Sequence, residues 1–396
     1  MKWPLKRLND LGYVSRGRSK NRPRDAAHLY GGDYPFIQTG DVKHSNLYIT
    51  QYTQTYSEAG LAQSRLWPIG TLCITIAANI ADTSILSFEA CFPDSIIGFI
   101  PDPKEADARF IKYSFDALLQ KQYQNFSKGA AQDNLSQEKL LSIDIPAPSV
   151  DLQTKIADVL ASYDAMIENN RRRIALLEQA ARHLYEEWFV RFRFPGYEHT
   201  KFINGLPVGW QLKRLDELCH DVREHADPSK LDVDTPYIGL EHLPRRSITL
   251  CDWGKAEDVT SSKFCFSVND ILFGKIRPYF HKVGFALIDG ITSSDAIVIR
   301  PNEGHLFSYC LCLLSSDIFV AFASKTVKEG SKMPRADWKF LREQKFSFPT
   351  KDVLEDFNAK IAPLTAQLKI LAFQTKKAMT ARDLLLPRLM NGEVEV

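Results

Sequence analysis

Two stretches of the chain carry a seven-residue hydrophobic rhythm. Ile156, Leu160, Tyr163, Ile167, Asn170, Ile174, Leu177, Ala181, Leu184 and Trp188 fall at alternating spacings of four and three. The same spacing runs through Phe357, Ile361, Leu364, Leu368, Leu371, Thr375, Ala378, Arg382, Leu385 and Leu389. Apolar residues repeating every three and a half positions predict a helix that buries one seam against another helix. Pro148-Ser149 and Pro349-Thr350 precede the two stretches, in each case a proline stop and then a hydroxyl able to cap a new helix. A helix over residues 151–190 would be about 60 Å long at 1.5 Å per residue, a spacer rather than a core helix.

Each helix packing on its own domain is one reading, and the two helices pairing with each other is the other. A seam kept regular over four or more heptads favours pairing. In an antiparallel pair the mid-helix polar residues Asn170 and Thr375 would share one layer and fix register at some cost in stability. Replacing both with Leu is then expected to raise thermal stability. Pro387 is placed to distort the last turn of the second helix.

Outside the helices the chain repeats itself with a period near 200 residues. WPLKRLNDL from Trp3 to Leu11 returns as WQLKRLDEL from Trp210 to Leu218, and YPFIQTGDV from Tyr34 has a weaker echo in TPYIGLEHL from Thr235. Solenoid units are far shorter, so this is a domain-sized duplication, and it predicts pseudo-twofold symmetry and a two-part ligand. Within each unit, residues 48–53 and 95–100 have the β-branched and aromatic composition of strands, and residues 107–128 and 305–328 read as helices. Pro195-Gly196 and Asn204-Gly205 mark residues 193–209 as a linker.

Composition narrows the function classes. A net charge of +2 on 396 residues gives no global pull toward nucleic acid or membrane, so any such surface has to be local. The seven cysteines are scattered without paired spacing, which points to reduced, mostly core residues rather than a disulfide framework or zinc site. No run of 18 apolar residues is present, and MKWPLKRLNDLG lacks the apolar core of a signal peptide, so the expected location is cytoplasmic, with no membrane partner. Phosphate-loop, H-E-x-x-H, G-x-S-x-G and Asp/Asn-Pro-Pro-aromatic methyltransferase motifs are all missing, and the expectation is a non-catalytic chain without a metal.

At this point the sequence resembles the specificity subunits of type I restriction-modification systems. The resemblance rests on WxLKRLxxL at each domain start, YPFIQTGDV, NDILFGKIRPYFHKVGFA from Asn269, GAAQDNLSQEKLLSIDIPAPSVDLQTKIADVL from Gly129 and TARDLLLPRLMNGEVEV from Thr380. It implies an α+β chain with two similar mixed α/β target-recognition domains, separated by two long helices that form an antiparallel coiled coil. The expected organisation is recognition domain one at 1–150, a central conserved helix at 151–192, the linker at 193–209, recognition domain two at 210–350 and the C-terminal conserved helix at 351–396. The paired helices would meet through Ile156, Leu160, Tyr163, Ile167, Asn170 and Leu177 on one side and Ile361, Leu364, Leu368, Leu371 and Thr375 on the other.

The resemblance further implies double-stranded DNA as ligand, with one part of a split, asymmetric sequence read by each domain. The implied partners are two modification (methyltransferase) subunits and restriction/translocase subunits. S-adenosylmethionine, ATP and Mg would be held by those partners and no cofactor by this chain. Some family members carry a conserved segment ahead of the first recognition domain; this chain begins at Trp3 of the motif, and the first domain is expected to lean on the C-terminal helix. A stand-alone coiled-coil DNA-binding repressor or scaffold is the competing reading. Two recognition domains facing the major groove from one side of the duplex would sit about 34 Å apart, one helical turn.

Candidate DNA contacts follow from local chemistry. Arg16, Arg18, Lys20, Arg22 and Arg24 crowd five cations into nine residues, a pattern suited to phosphates or to an ordinary solvated loop. Lys275, Arg277, Tyr279 and Lys282 form a cationic-aromatic counterpart in the second unit, with a structural strand end as the alternative. Gln38, Thr39, Lys128, Gln132 and Asn134 in the first unit, and Lys332 and Arg335 in the second, are polar loop residues, placed either to read base edges or as ordinary loop chemistry. Trp188, Phe189 and Phe192 are either core to the linker or a docking patch for a modification subunit.

Overall fold

In the computed structural model the described residues are 3–21, 23–77, 81–126, 137–326 and 333–396. The sequence duplication is a structural one. In the first copy Leu5–Lys6 pairs antiparallel with Ile145–Pro146, and in the second Gln211–Arg214 pairs with Lys345–Phe348. A four-residue helix follows each, Leu8–Leu11 and Leu215–Leu218, with both leucines of each fully buried. The backbone N–H of Arg7 donates to the Asp10 carboxylate at 2.9 Å, and that of Arg214 to Glu217 at 2.9 Å, so an acid three residues on satisfies an otherwise orphaned donor. The repeated LKRLxxL motif is therefore a cap and two core anchors.

Each copy then builds the same sheet. In the first, β1 (Gly12–Arg16), β2 (Leu72–Thr75), β3 (Thr83–Leu86) and β4 (Ile96–Pro101) lie in the order β1-β4-β2-β3, all antiparallel, with Tyr48–Ile49 added parallel to β3. In the second, β5 (Cys219–Val222), β6 (Ile271–Gly274), β7 (Val283–Phe285) and β8 (Ala296–Pro301) lie in the order β5-β8-β6-β7. Alternation along the central strands explains why both faces are covered. Leu72 and Ile74 enter the core that contains Phe110, Ile111 and Phe115, whereas Cys73 points the other way, among Trp67, Phe92 and Ile96. Ile271 and Phe273 likewise join one core and Leu272 another. At Gly98 a Cβ would stand 2.5 Å from the Trp67 ring, so only glycine lets that indole lie flat on the sheet.

The weaker echo is also structural: Phe36 bridges Cys91 in parallel, and Tyr237 and Ile238 pair in parallel with Ile291 and Thr292. Beyond it the copies diverge. The first has a two-stranded ribbon of Tyr30–Phe36 and Gln54–Tyr56, the second a five-stranded sheet that includes Lys263–Phe266 and Gly290–Thr292. Only Tyr48–Ile49 of the predicted strand at 48–53 pairs in a ladder; residues 50–53 face solvent. The helix expected at 107–128 is Ala108–Phe126, but the one expected at 305–328 is broken into Phe307–Leu314 and Asp317–Lys325, bent by 67°. Ser316 causes the break, since its hydroxyl accepts the Phe319 N–H at 3.1 Å and caps the second piece.

The long helices run Val150–Tyr185, extended by a π turn over Glu186–Val190, and Lys351–Met390, the latter continuing through Pro387. The chain divides into two compact units, residues 1–168 with 377–396, and residues 169–376, so each long helix gives one part to each unit. In the first unit, Ile156 and Leu160 share a core with Leu389 and Met390, and Asp164 pairs with Arg382. In the second, Ile174 and Ala181 share a core with Ile361, Leu368 and Leu371, while Tyr185, Trp188 and Phe189 pack their rings against Phe357. The helices are thus antiparallel, and the heptad seam is the buried one: Ile156, Leu160, Ile167, Asn170, Ile361, Leu368, Leu371 and Thr375 are buried, with Tyr163, Leu177 and Leu364 half-buried.

Residues 193–209 are not an open connector. Phe202–Ile203 and Leu206–Pro207 form a hairpin around Asn204 and Gly205, both at positive φ, and the Phe194 and Trp210 rings pack at 5.1 Å inside the core of the second unit. All seven cysteines are free thiols, five of them buried. Among the described residues no single helix is long and apolar enough to cross a membrane.

Candidate nucleic-acid interface

In the first unit the cations leave β1 as a comb. Gly17 N–H bonds to the Ile96 carbonyl at 2.8 Å, Arg18 N–H to Phe92 at 3.0 Å, and the Ser64 hydroxyl donates to the Arg18 carbonyl at 2.7 Å. Gly17 and Ser19 are buried between them, leaving Arg16, Arg18 and Lys20 exposed. A Cβ at Gly17 would fall 2.3 Å from the Pro93 carbonyl oxygen, which is why a glycine separates the first two arginines. The sequence therefore alternates cation and small residue because the backbone lies flush against residues 92–96. Arg24 differs from its neighbours, with its guanidinium pairing with Asp94 at 2.9 Å.

Beside the comb is a cation that the sequence did not reveal. Arg65 lies over the Trp67 ring at 4.2 Å and the Tyr13 ring at 4.8 Å, and donates to the Tyr13 hydroxyl at 2.8 Å. Hydrogen bonds from Ser15 and Arg65 hold the pKa of this exposed phenol below its ordinary value. Such an array has the chemistry suited to phosphates, which bind cations without sequence information.

In the second unit the cationic turn follows β6, not β5. The segments 16–24 and 275–282 are therefore not counterparts in topology, as their composition implied. They do share a sheet end: Arg16 lies opposite Ile97 where β4 begins, and Gly274 lies opposite Ala296 where β8 begins. Arg277 (φ 47°) and His281 (φ 54°) adopt left-handed conformations at the two ends of a 3-10 turn over Pro278–Phe280. Residues 334–336 are laced onto it, with Arg277 N–H on the Pro334 carbonyl at 2.8 Å and Ala336 N–H on the Lys275 carbonyl at 2.9 Å. Arg277 and Tyr279 are exposed and Lys275 and Lys282 half-buried.

Burial, above all, lowers the Lys275 pKa; Asp295 opposes this, while the cations of Arg335 and Arg223 add to it. Lys282 is lowered by burial and by Arg245, against Glu241, and its ammonium donates to the Leu240 carbonyl at 2.5 Å. Positive charge packed this closely favours an anionic ligand. Arg335 is partly spent on Asp295, at 3.4 Å. Arg223 and Arg245 are cations of this cluster that sequence reading missed, because they lie on separate segments that only the fold brings together.

The other candidates separate. Gln38 is exposed and donates to the Gln54 side chain at 2.6 Å, and Thr39 opens the short helix Thr39–His44. Arg22, Lys128, Gln132, Asn134 and Lys332 lie outside the described residues. The docking-patch reading of Trp188 and Phe189 is corrected: they are 5% and 3% exposed, within the aromatic core of the second unit, and Phe192 packs half-buried against Trp210 at 5.4 Å. Their apolarity serves folding of the linker onto that core.

Buried polar groups tie the long helices to the domains. In the first unit Asp164 accepts the Tyr113 hydroxyl at 2.5 Å and the Arg382 guanidinium at 2.6 Å, beside a polar cavity of about 210 Å³ that Lys43, Asp82 and Lys112 also line. In the second, Glu178 Oε1 accepts four bonds, from the Ser247 and Thr249 hydroxyls and the Ile248 and Thr249 N–H groups, at 2.6–3.1 Å.

Comparison with known proteins agrees with this architecture. Residues 1–179 match the family described as the type I restriction modification DNA specificity domain. The whole chain aligns over 420 positions with the type I restriction enzyme MjaIX specificity subunit of Methanocaldococcus jannaschii at 24% identity, covering 100% of this chain and 94% of that one. With the EcoDI specificity subunit of Escherichia coli it is 22% identical, covering 95% and 84%. Among solved structures, the type I restriction-modification S subunit from M. genitalium shares the fold, with a TM-score of 0.60 at 15% identity, over 98% of this chain and 96% of that one. Over nearly its whole length the chain is thus similar to specificity subunits of type I restriction enzymes, and residues 1–179 match their DNA specificity domain.

Proposed function

We propose that the chain is the sequence reader of a type I restriction-modification enzyme, each recognition domain binding one part of a split, asymmetric DNA target. The observation that carries this reading is the duplicated sheet, each copy of which presents exposed cations at the same end: Arg16, Arg18 and Lys20 in one, Arg277 with its neighbours in the other. Similar but non-identical sites on one chain suit two different half-sites. The antiparallel helices offer their outer faces to modification subunits, two per chain, with restriction subunits joining the assembly. Adenine methylation with S-adenosylmethionine, and ATP- and Mg-dependent translocation and cleavage, reside in those partners in the cytoplasm.

The test is reconstitution. The purified chain alone is expected to show neither methylation nor cleavage, and with its modification subunits it is expected to form a stable complex that methylates adenine in duplex DNA. Activity of the chain alone would overturn the adaptor role, and a homodimer that binds DNA without modification subunits would favour the repressor or scaffold.

A further inference from the structure

The loop Pro244–Ser247 in the second unit belongs to none of the motifs that pointed to DNA, yet its cations are held by contacts on several sides. Arg245 lies over the Phe280 ring at 4.0 Å, and Arg277 approaches the same ring at 6.0 Å. Among the described residues neither guanidinium has a hydrogen-bond or ion-pair partner, and both residues are exposed. A guanidinium lying over an aromatic ring is held in place by it while its N–H groups stay free to pair bidentately with two acceptors side by side.

The surroundings hold this geometry rather than merely permit it. Arg246 sits at φ 58°, its N–H on the His281 carbonyl at 2.9 Å and its carbonyl taking a bond from Arg182 at 2.9 Å. One residue on, Ser247 is caught by Glu178, one turn before Arg182 on the first long helix. His281, buried, bonds through Nε2 to the Ser315 carbonyl at 2.8 Å. Arg246, Arg277 and His281 thus place three non-glycine residues at positive φ around one ring. Strained backbone of this kind persists where the surroundings over-determine it, and it gathers at binding sites.

We propose that Arg245, stacked on Phe280 and held in place by Glu178 and Arg182, reads a base edge in the half-site bound by the second unit. The acceptor pair that fits it is O6 and N7 of guanine in the major groove. This rests on the reading of the chain as a DNA-specificity subunit and adds one recognition residue to it.

The test uses the full-length chain in complex with its modification subunits and a duplex library with randomised positions, sequencing the bound fraction. The wild type is expected to enrich a two-part sequence. Arg245→Gln is expected to lose roughly tenfold or more of the preference for guanine at one position, with every other position of both half-sites retained. Arg245→Lys fails to restore it, because an ammonium neither stacks flat nor pairs bidentately. Phe280→Leu keeps the turn apolar and relaxes the same position. An unchanged enriched sequence in Arg245→Gln would overturn the assignment, as would an affinity loss uniform over all sequences, the mark of a phosphate contact. If the wild type enriches no sequence, the underlying reading falls too; if only the Arg245 variants match wild type, Arg245 alone is at fault.

Discussion

Among the described residues Asn170 is the one buried seam residue with an unsatisfied polar atom. It is 4% exposed, and its Nδ2 has no hydrogen-bond partner. Thr375, 7% exposed, is satisfied within its own helix, its hydroxyl donating to the Leu371 carbonyl at 2.7 Å. The two positions therefore contribute unequally. Asn170→Leu is nearly isosteric, so it neither opens a cavity nor overpacks the seam. It removes an uncompensated amide, worth about 1–3 kcal/mol. Thr375→Val exchanges a satisfied hydroxyl for a methyl group and is expected to change stability by less than about 1 kcal/mol. At about 2–4 °C per kcal/mol for a unit of this size, Asn170→Leu should raise the melting temperature of the second unit by about 2–12 °C. Differential scanning calorimetry of the full chain, or of its complex, reads this directly. A fall in melting temperature for Asn170→Leu would refute the reasoning, since it would mean that the amide is paired and stabilising. The expected side effect is a looser choice of register, because a lone polar layer in a seam penalises slipped pairings.

Three other perturbations follow from the same geometry. Asp164→Ala strands the buried Tyr113 hydroxyl and the Arg382 guanidinium, and should cost the first unit about 3–5 kcal/mol, against a smaller loss in Asp164→Asn, which still accepts from Tyr113; equal melting temperatures for the two variants would contradict this. Arg18→Ala should reduce the slope of log affinity against log salt by about 1, whereas Arg24→Ala, already neutralised by Asp94, should change it less; titrations at several salt concentrations decide. Burial holds the His281 imidazole below its ordinary pKa, outweighing the nearby Asp317 carboxylate. The folded state then binds the proton more weakly than the unfolded one, so the stability is fully present above about pH 6.5 and is lost as pH falls below it. His281→Gln should flatten that acid-side decline in melting temperature, and an unchanged decline would remove His281 as its cause.

The helices were legible because their signal is periodic. The seam read from residues 156–188 and 357–389 is the buried seam, and the repeat at Trp3 and Trp210 marks equivalent caps and anchors. The broken helix at Ser315-Ser316 was not, because two apolar segments joined by serines carry one continuous hydrophobic pattern, and only the geometry of the Ser316 cap divides them. Trp188 and Phe189 misled for a related reason: apolar residues at a helix end look unpartnered until Phe194 and Trp210 of the supposed linker fold back over the same core. The cationic comb was visible as composition, and its alternating burial explains the intervening Gly17 and Ser19. Arg65, Arg223 and Arg245 escaped because they lie on segments far from the other candidates in sequence, and tertiary packing alone brings them beside the others.

Two similar but non-identical recognition units imply two different half-sites. Sequencing the methylated positions in the DNA of a host carrying the complete system tests it most directly. Methylated adenines are expected in a motif of two unlike blocks separated by unspecified bases of constant number, with Arg245→Gln altering one block only. A single contiguous motif, or a palindrome, would contradict it.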